Sequence, residues 1–301
     1  SFCALYPSVP VLITSREVGY EQAPLNENQF EVFSLSPFNE NQVKRYVTNW
    51  FSIDKELTYD QKEQRADAFI KESKIVPDLR SNPLMLALMC NIYRGENYIP
   101  NNRPDVYEKC ATMLFDRWDK GRGIRVPRSL EEIQAHIRPT MMYLAYWIYS
   151  NETMQGAVTE RDLIKKAAEY LYKHFEDLDE AENAAKNFID FCRGRAWVFT
   201  DIGTTKEGES LYQFTHRTFL EYFTAAHLVR INYTPEKLKG ILFSRIAKQE
   251  WDVVAQLAFQ IQNKYVEGAG DELLAALVES SINAGMYEKL NSINFAIRCL
   301  E

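Results

Sequence analysis

Apolar side chains recur every three or four positions through residues 39–120, which is the periodicity of amphipathic helices. We predict a bundle of about four helices there. Their starts are marked by residues that favour the first turn of a helix, namely Asn39, Thr58, Asn82 with Pro83, and Pro104. Thr58 and Gln61 have the spacing of a capping box, and Gly95 is predicted to end the third helix.

The next part of the chain, residues 121–232, combines helical stripes with a hairpin. Two strand-like runs, 196–200 and 210–214, flank a polar loop that contains glycine. The chain then enters a helix whose apolar stripe is Phe219, Tyr222, Phe223 and Ala226. The helices before the hairpin are expected to open at Ser129, Thr159 and Asp179.

The first residues of the chain have a different pattern. Residues 9–16 begin with a continuous Val/Leu/Ile run, and residues 30–35 form a second strand-like segment. Continuous apolar runs are typical of strands buried on both faces of a parallel sheet. Residues 1–38 are therefore predicted to be the end of an α/β domain. Because residues 233–301 return to a helical pattern, the predicted fold class is mainly α with a small β contribution.

Two polar positions have the chemistry to contact an anion. Thr215 is predicted to cap the helix after the hairpin, which places His216 in its first turn, where unpaired N–H groups and the macrodipole favour phosphate. Ser15 and Arg16 follow the predicted N-terminal strand, at the end where open α/β sheets bind ligands. The alternatives are that His216 packs beside the hairpin and that Arg16 forms a surface ion pair.

Three segments carry more specific patterns: residues 11–16 (VLITSR), 82–86 (NPLML) and 214–226 (FTHRTFLEYFTAA). In this order they resemble the sensor-1 strand, the NPL turn and the winged-helix motif of the NACHT family of signal-transducing (STAND) NTPases. The resemblance extends over residues 1–233 and fades afterwards. The joint match is more specific than any single motif, since short motifs alone match by chance.

The resemblance implies roles for individual residues. Arg16, with Ser15 beside it, would face the terminal phosphate of ATP. Pro83 would pack against adenine, although a proline in the first helical turn needs no ligand to explain it. His216 would contact the β-phosphate of ADP in the resting state. Glu221 is expected to make a structural hydrogen bond or salt bridge.

The resemblance also implies a domain order and a function. Residues 1–38 would be the C-terminal part of the NACHT nucleotide-binding domain, 39–120 a helical domain, 121–232 a winged helix, and 233–301 a second helical domain or the start of a sensor solenoid. The expected function is an ADP/ATP-dependent switch that oligomerises when an unknown trigger activates it. In bacteria, such a role would suggest anti-phage or innate-immune signalling.

The chain departs from the family in one respect that decides its chemistry. It has no G-x-x-x-x-G-K-[ST] loop to hold a triphosphate, and the acidic strand that would hold Mg²⁺ is also missing. We interpret the chain as lacking the N-terminal half of such a protein, so ATP hydrolysis by this chain alone is not expected. Its histidines have no metal-ligand spacing, and no nucleophile is paired with a base.

Composition limits the alternatives. Two alternative functions are a winged-helix transcription regulator and a passive helical scaffold. A net charge of −7 disfavours binding to nucleic acid and hence the transcription regulator. No apolar run approaches the ~20 residues of a membrane span. The five cysteines are odd in number and scattered, without C-x-x-C spacing, which favours a reducing cytoplasm over a disulfide framework or a zinc site.

Overall fold

A computed structural model describes residues 2–6, 8–14, 25–26, 28–113, 134–175, 177–194 and 198–300 of the 301-residue chain. The chain divides into two compact units, Ser1–Pro37 and Phe38–Glu301. The described secondary structure is mainly helical, with one small three-stranded antiparallel sheet. The predicted fold class, mainly α with a small β contribution, is confirmed.

The first unit lacks the predicted strands in its described part. Helix α1 (Phe2–Leu5) is followed by residues 8–14 and 28–37, which contain neither helix nor strand. Leu12 and Leu35 expose 91% and 102% of their surface. An apolar run forms a buried strand only where neighbouring strands and helices cover it. The strand predictions for residues 9–16 and 30–35 are therefore wrong wherever the structure describes these segments.

The second unit opens with a helical bundle. Its helices are α2 (Glu40–Ser52), α3 (Tyr59–Glu72), α4 (Pro77–Ser81), α5 (Pro83–Glu96) and α6 (Arg103–Thr112). As predicted, Asn39 and Thr58 cap α2 and α3 with complete capping boxes. The N-terminal half of the bundle could thus be predicted from local cap chemistry.

The end of α5 and the start of α6 differ slightly from prediction. Gly95 does not end α5, which continues to Glu96 and stops at Asn97 in the left-handed conformation, with φ 60°. Asparagine is one of the few residues besides glycine that adopts this conformation readily. Helix α6 starts at Arg103 with Asn102 as its cap, so Pro104 is the second rather than the first helical residue.

A buried arginine crosses the bundle. Arg80 is only 1% exposed, and its Nη1 donates to the Ile70 carbonyl at 3.2 Å while its Nη2 donates to Glu40 Oε2 at 2.6 Å. These bonds join α4 to α3 and α2. A buried guanidinium needs such partners, because removal from water penalises its charge.

A winged-helix topology follows the bundle. Its elements are α7 (Gln134–Tyr149), α8 (Glu152–Gly156), β1 (Val158–Thr159), α9 (Glu160–Phe175), α10 (Leu178–Gly194), β2 (Phe199–Thr204) and β3 (Ser210–Phe214). The sheet order is β1-β3-β2 and both pairings are antiparallel. Apart from the short α8, this order of helices and strands is that of a winged helix.

Several details of this region test the sequence predictions. Thr159 caps α9 as predicted, its Oγ1 accepting from the Asp162 N–H at 3.1 Å. Helix α10 starts at Leu178 rather than Asp179, because Asp177 accepts from the Glu180 N–H at 2.9 Å. The two-residue strand β1 was not predicted. The proposed start of α7 at Ser129 lies outside the described residues.

Helix α11 (Arg217–Ile231) leaves the hairpin and packs against α6, α7 and a later helix, α13. The C-terminal helices are α12 (Pro235–Ala247), α13 (Asp252–Tyr265), α14 (Ala269–Ser281) and α15 (Met286–Leu300). Helices α12, α14 and α15 pack on one another, and α13 joins them to α11. The helical prediction for residues 233–301 is confirmed, with α15 as an additional helix. None of the described helices has the length and apolar character to cross a membrane.

A histidine lies inside the interface between α11 and α7. His227 is 6% exposed and its ring stacks on Tyr146, with a centroid distance of 5.1 Å, while Tyr143 packs against its edge. Burial, together with the positive charges of Arg230 and Lys173, lowers the pKa of His227 to about 4. The folded protein therefore holds this imidazole neutral near pH 7.

Replacing Arg80 should measure how much the buried guanidinium contributes to the free energy of unfolding. We expect Arg80→Met to lower the free energy of unfolding by about 2 kcal/mol, because the Ile70 carbonyl loses its donor and methionine fills the space incompletely. Urea denaturation followed by circular dichroism gives the difference. Arg45→Met, at an exposed position on α2, is the matched control and should change stability by less than about 0.5 kcal/mol. Equal effects of the two substitutions would contradict the account.

His227 should make stability depend on pH. A histidine whose pKa is lower in the folded state binds protons only on unfolding, so its stabilising contribution is present above about pH 6.5 and is lost as the pH falls towards 4. Between about pH 7.5 and 5.5, the loss due to His227 should be about 1 kcal/mol. Urea titrations at both pH values should show a smaller loss for His227→Gln than for the unmodified protein. An unchanged pH dependence in His227→Gln would refute the assignment.

Candidate functional site

The structure describes two of the four predicted site residues. Ser15 and Arg16 lie outside the described residues. Pro83 is exposed at the first position of α5, directly after its cap Asn82, whose Oδ1 accepts from the Leu84 and Met85 N–H groups at 3.0 and 3.2 Å. These bonds explain the Asn-Pro sequence as a helix start, and the exposed ring remains accessible to a ligand.

His216 lies between the hairpin and α11. It is the N-cap residue of α11, one position before the predicted first turn. Thr215 is not the cap, because it forms hydrogen bonds to the hairpin instead. Its N–H donates to the Val198 carbonyl at 2.8 Å, and its hydroxyl pairs with that of Thr200 at 2.6 Å. The hairpin therefore fixes the backbone immediately before His216.

The N-terminus of α11 keeps the unpaired hydrogen-bond donors with which a helix begins. The His216 side chain makes no capping bond, and its carbonyl accepts from the N–H groups of Phe219 and Leu220 at 3.1 and 3.4 Å. Within the described ranges, no acceptor meets the N–H groups of Arg217 and Thr218. The Thr218 hydroxyl is also buried without a partner there. Helix starts normally satisfy such groups with a side chain, with water or with a bound anion.

The imidazole of His216 is half-buried, and burial lowers its pKa below the ordinary value. The ring is therefore mainly neutral near pH 7, with one nitrogen as donor and the other as acceptor. A neutral imidazole can donate a hydrogen bond to a phosphate oxygen without carrying a buried charge in the empty site.

One turn further along α11, an ion pair faces the bundle. Arg217 Nε donates to Glu221 Oε1 at 2.9 Å, and Arg217 and Tyr149, at the end of α7, affect each other's pKa. Glu221 is only 7% exposed. Burial raises the pKa of its carboxyl group, while Arg217 acts in the opposite direction. The expectation that Glu221 makes a structural salt bridge is confirmed.

A second ion pair lies on the bundle side. Arg103 Nη2 contacts Asp78 Oδ2 at 2.5 Å, and both residues influence the pKa of Glu221. Charges act on one another appreciably only at short range in salt solution. The start of α6 and the short helix α4, which ends just before the Asn82-Pro83 turn, therefore lie near the start of α11.

Little in the local sequence pattern indicates this polar network. The spacing of Arg217 and Glu221 is that of an i,i+4 helix pair, which sequence alone can indicate. Tyr149, Arg103 and Asp78 come from distant segments and no local pattern connects them. In chemical terms the start of α11 can bind an anion, because its unpaired N–H groups and the Thr218 hydroxyl are hydrogen-bond donors. The described residues contain no group of three or more potential metal ligands.

Comparison with known proteins does not assign the chain to a family. The sequence matches no model of a protein family, and a search of curated proteins gives no significant match.

The Arg217–Glu221 pair yields a pH-dependent prediction. Arg217→Gln leaves Glu221 buried without its counter-charge, so the variant should be less stable by about 1 kcal/mol at pH 7. Near pH 4 the carboxyl group of Glu221 is largely protonated in both proteins, and the difference should shrink. Urea denaturation at the two pH values measures this. Arg161→Gln, exposed on α9, is the control; an Arg217→Gln defect of equal size at both pH values would contradict the pairing.

Proposed function

We propose that this chain is the central regulatory part of a NACHT-type STAND ATPase, in which ADP and ATP favour different arrangements of the helical domains. The observation that carries the proposal is the donor-rich start of α11. There, a half-buried His216, two free backbone N–H groups and the buried Thr218 hydroxyl lie within one helical turn. A phosphate group accepts from such donors, and the helix macrodipole adds to the attraction.

In this proposal His216 contacts the β-phosphate of ADP and holds the winged helix against the nucleotide. A charge-assisted hydrogen bond contributes about 1.5–3 kcal/mol, which corresponds to a ten- to hundred-fold change in population. A ligand shifts a conformational equilibrium only by its difference in affinity for the two states. One such bond therefore biases the switch, and further contacts to the nucleotide must complete it.

The remaining contacts of the proposal follow the NACHT resemblance. Pro83 packs against adenine, and Arg16 with Ser15 faces the terminal phosphate of ATP. The triphosphate loop and the Mg²⁺ ligands come from outside this chain, so the chain alone does not hydrolyse ATP. Exchange of ADP for ATP leads to self-association, and the proposed location is the cytoplasm.

A second candidate function is DNA binding, which the winged-helix topology favours. The charge on α10, the second of the two helices between β1 and β2, opposes it. This helix carries Lys186 and Arg193 against four acidic residues, Asp179, Glu180, Glu182 and Asp190. Arg193 is moreover paired with Asp190 at 2.9 Å. Since DNA recognition begins with an attraction to phosphate, we rank this candidate below the nucleotide switch.

His216→Ala tests the proposal in the longest polypeptide in which this chain occurs. Loss of one hydrogen bond to the β-phosphate should weaken ADP binding by about ten-fold or more and increase activity in the absence of a trigger. Release of a fluorescent ADP analogue measures the first effect, and self-association by light scattering measures the second. His174→Ala, at an exposed position on α9, is the matched control. Unchanged ADP release from His216→Ala would refute the contact.

A DNA mobility-shift assay separates the two candidate functions. At moderate salt we expect no shift of mixed-sequence duplexes by this chain, because α10 presents mainly negative charge. A salt-sensitive shift that Lys186→Glu abolishes would support the DNA-binding function instead.

A further inference from the structure

A cavity of about 210 Å³ lies within the second unit, where four helices meet. Helix α6 comes from the bundle, α7 and α11 from the winged helix and its following helix, and α13 from the C-terminal helices. Met142 and Ala226 form part of its apolar wall, while Arg138, Arg230 and Lys264 supply positive charge. Tyr222 also lines the cavity.

The positive charges are not equally compensated. Lys264 forms ion pairs with Asp105 and with Glu108, whose Oε2 lies 2.8 Å from the ammonium nitrogen. Arg138 donates from Nη2 to the Glu108 carbonyl at 3.3 Å, but its Nε is buried without a partner among the described residues. Arg230 is exposed and forms no ion pair within the same ranges. Two guanidinium groups thus remain available at the cavity.

Tyr222 adds an unused hydroxyl group. The residue is 5% exposed, and its ring stacks on Tyr107 with a centroid distance of 5.1 Å and an interplanar angle of 10°. This stacking fixes the ring, so the hydroxyl group keeps its direction at the cavity wall. No described residue makes a hydrogen bond to it. The hydroxyl oxygen is not sealed from its surroundings, so it can donate to a molecule bound in the cavity.

We propose that this cavity binds a small organic anion. Its carboxylate or phosphoryl group pairs with Arg138 and Arg230 and accepts a hydrogen bond from Tyr222, and its apolar body rests against Met142 and Ala226. The volume corresponds to about seven water molecules, which suits a body of one ring with one anionic group and is too small for a nucleotide. This site is separate from His216 and does not depend on the nucleotide switch.

The position of the cavity gives the ligand a structural effect. Because its wall combines the bundle, the winged-helix region and the C-terminal helices, a bound anion stabilises these three parts against one another. A ligand that binds only this folded arrangement stabilises it, and the gain rises with the logarithm of its concentration once this exceeds Kd. The anion is therefore a stabilising effector of this arrangement.

Benzoate and phenyl phosphate are suitable probes, with neutral benzamide as the comparison. Ligand-observed NMR titration of the unmodified protein should give saturable binding of at least one anion, with Kd about 1 mM, and benzamide should bind at least about ten-fold more weakly. The better of the two anions identifies the preferred head group. Arg138→Gln and Arg230→Gln should each weaken binding by about ten-fold, and Tyr222→Phe by a smaller factor.

Two further variants keep the test independent of folding defects. Ala226→Leu fills the cavity without changing charge and should abolish binding, whereas the exposed Arg161→Gln on α9 should leave it unchanged. The proposal is refuted if neither anion binds saturably up to about 20 mM. It is also refuted if benzamide binds as well as the anions, or if Ala226→Leu retains full affinity. The comparison with benzamide uses only the unmodified protein. It therefore still tests the proposal if Arg138→Gln fails to fold.

Discussion

The packing of α11 against α6, α7 and α13 is the interaction on which the rest of the second unit depends. Tyr107 of α6 lies face to face with Tyr222 and edge to face with Phe219, at centroid distances of 5.1 and 6.2 Å. On another side of α11, His227 is enclosed by tyrosines of α7. Loss of one large aromatic side chain from such a core costs about 3–5 kcal/mol. Helix α11 therefore contacts the bundle, the winged helix and the C-terminal helices, and α13 adds a direct contact with α6.

This packing also explains the chemistry at both ends of the α11 interface. Near the start of the helix, the hairpin and the Arg217–Glu221 pair hold the backbone in place while N–H groups and the Thr218 hydroxyl stay unused. Further along, Tyr222 and Arg230 face a cavity that the meeting of four helices leaves open. Polar groups without partners are costly inside a protein. Of these groups, the Thr218 hydroxyl is buried, and the others can donate to water or to the ligands that we propose.

Sequence alone could predict the features that depend on local chemistry. Asn39, Thr58 and Thr159 cap their helices because the capping groups are three residues away in the chain. The hairpin was likewise visible from its strand runs, and β3 matches residues 210–214. Where two local rules compete, prediction is weaker: Thr215 looks like a helix cap, but its hydroxyl group pairs with Thr200 across the hairpin.

Features that depend on distant segments could not be predicted. Residues 9–14 have the apolar pattern of a buried strand, yet Leu12 is exposed because nothing in the described part of its unit covers it. The two-residue strand β1 exists only through its pairing with β3. The same limit applies to the site: His216 was recognisable from its motif, whereas the contributions of Tyr149, Arg103 and Asp78 arise from tertiary packing.

The central claim is that the start of α11 contacts a nucleotide phosphate through His216. An experimental structure of the longest polypeptide carrying this chain, determined with saturating ADP, tests it most directly. The account predicts an imidazole nitrogen of His216 at hydrogen-bond distance, about 2.7–3.2 Å, from a β-phosphate oxygen, with the free N–H groups of α11 directed at the same phosphate. ADP bound elsewhere, or with His216 turned away from its phosphates, would contradict the account.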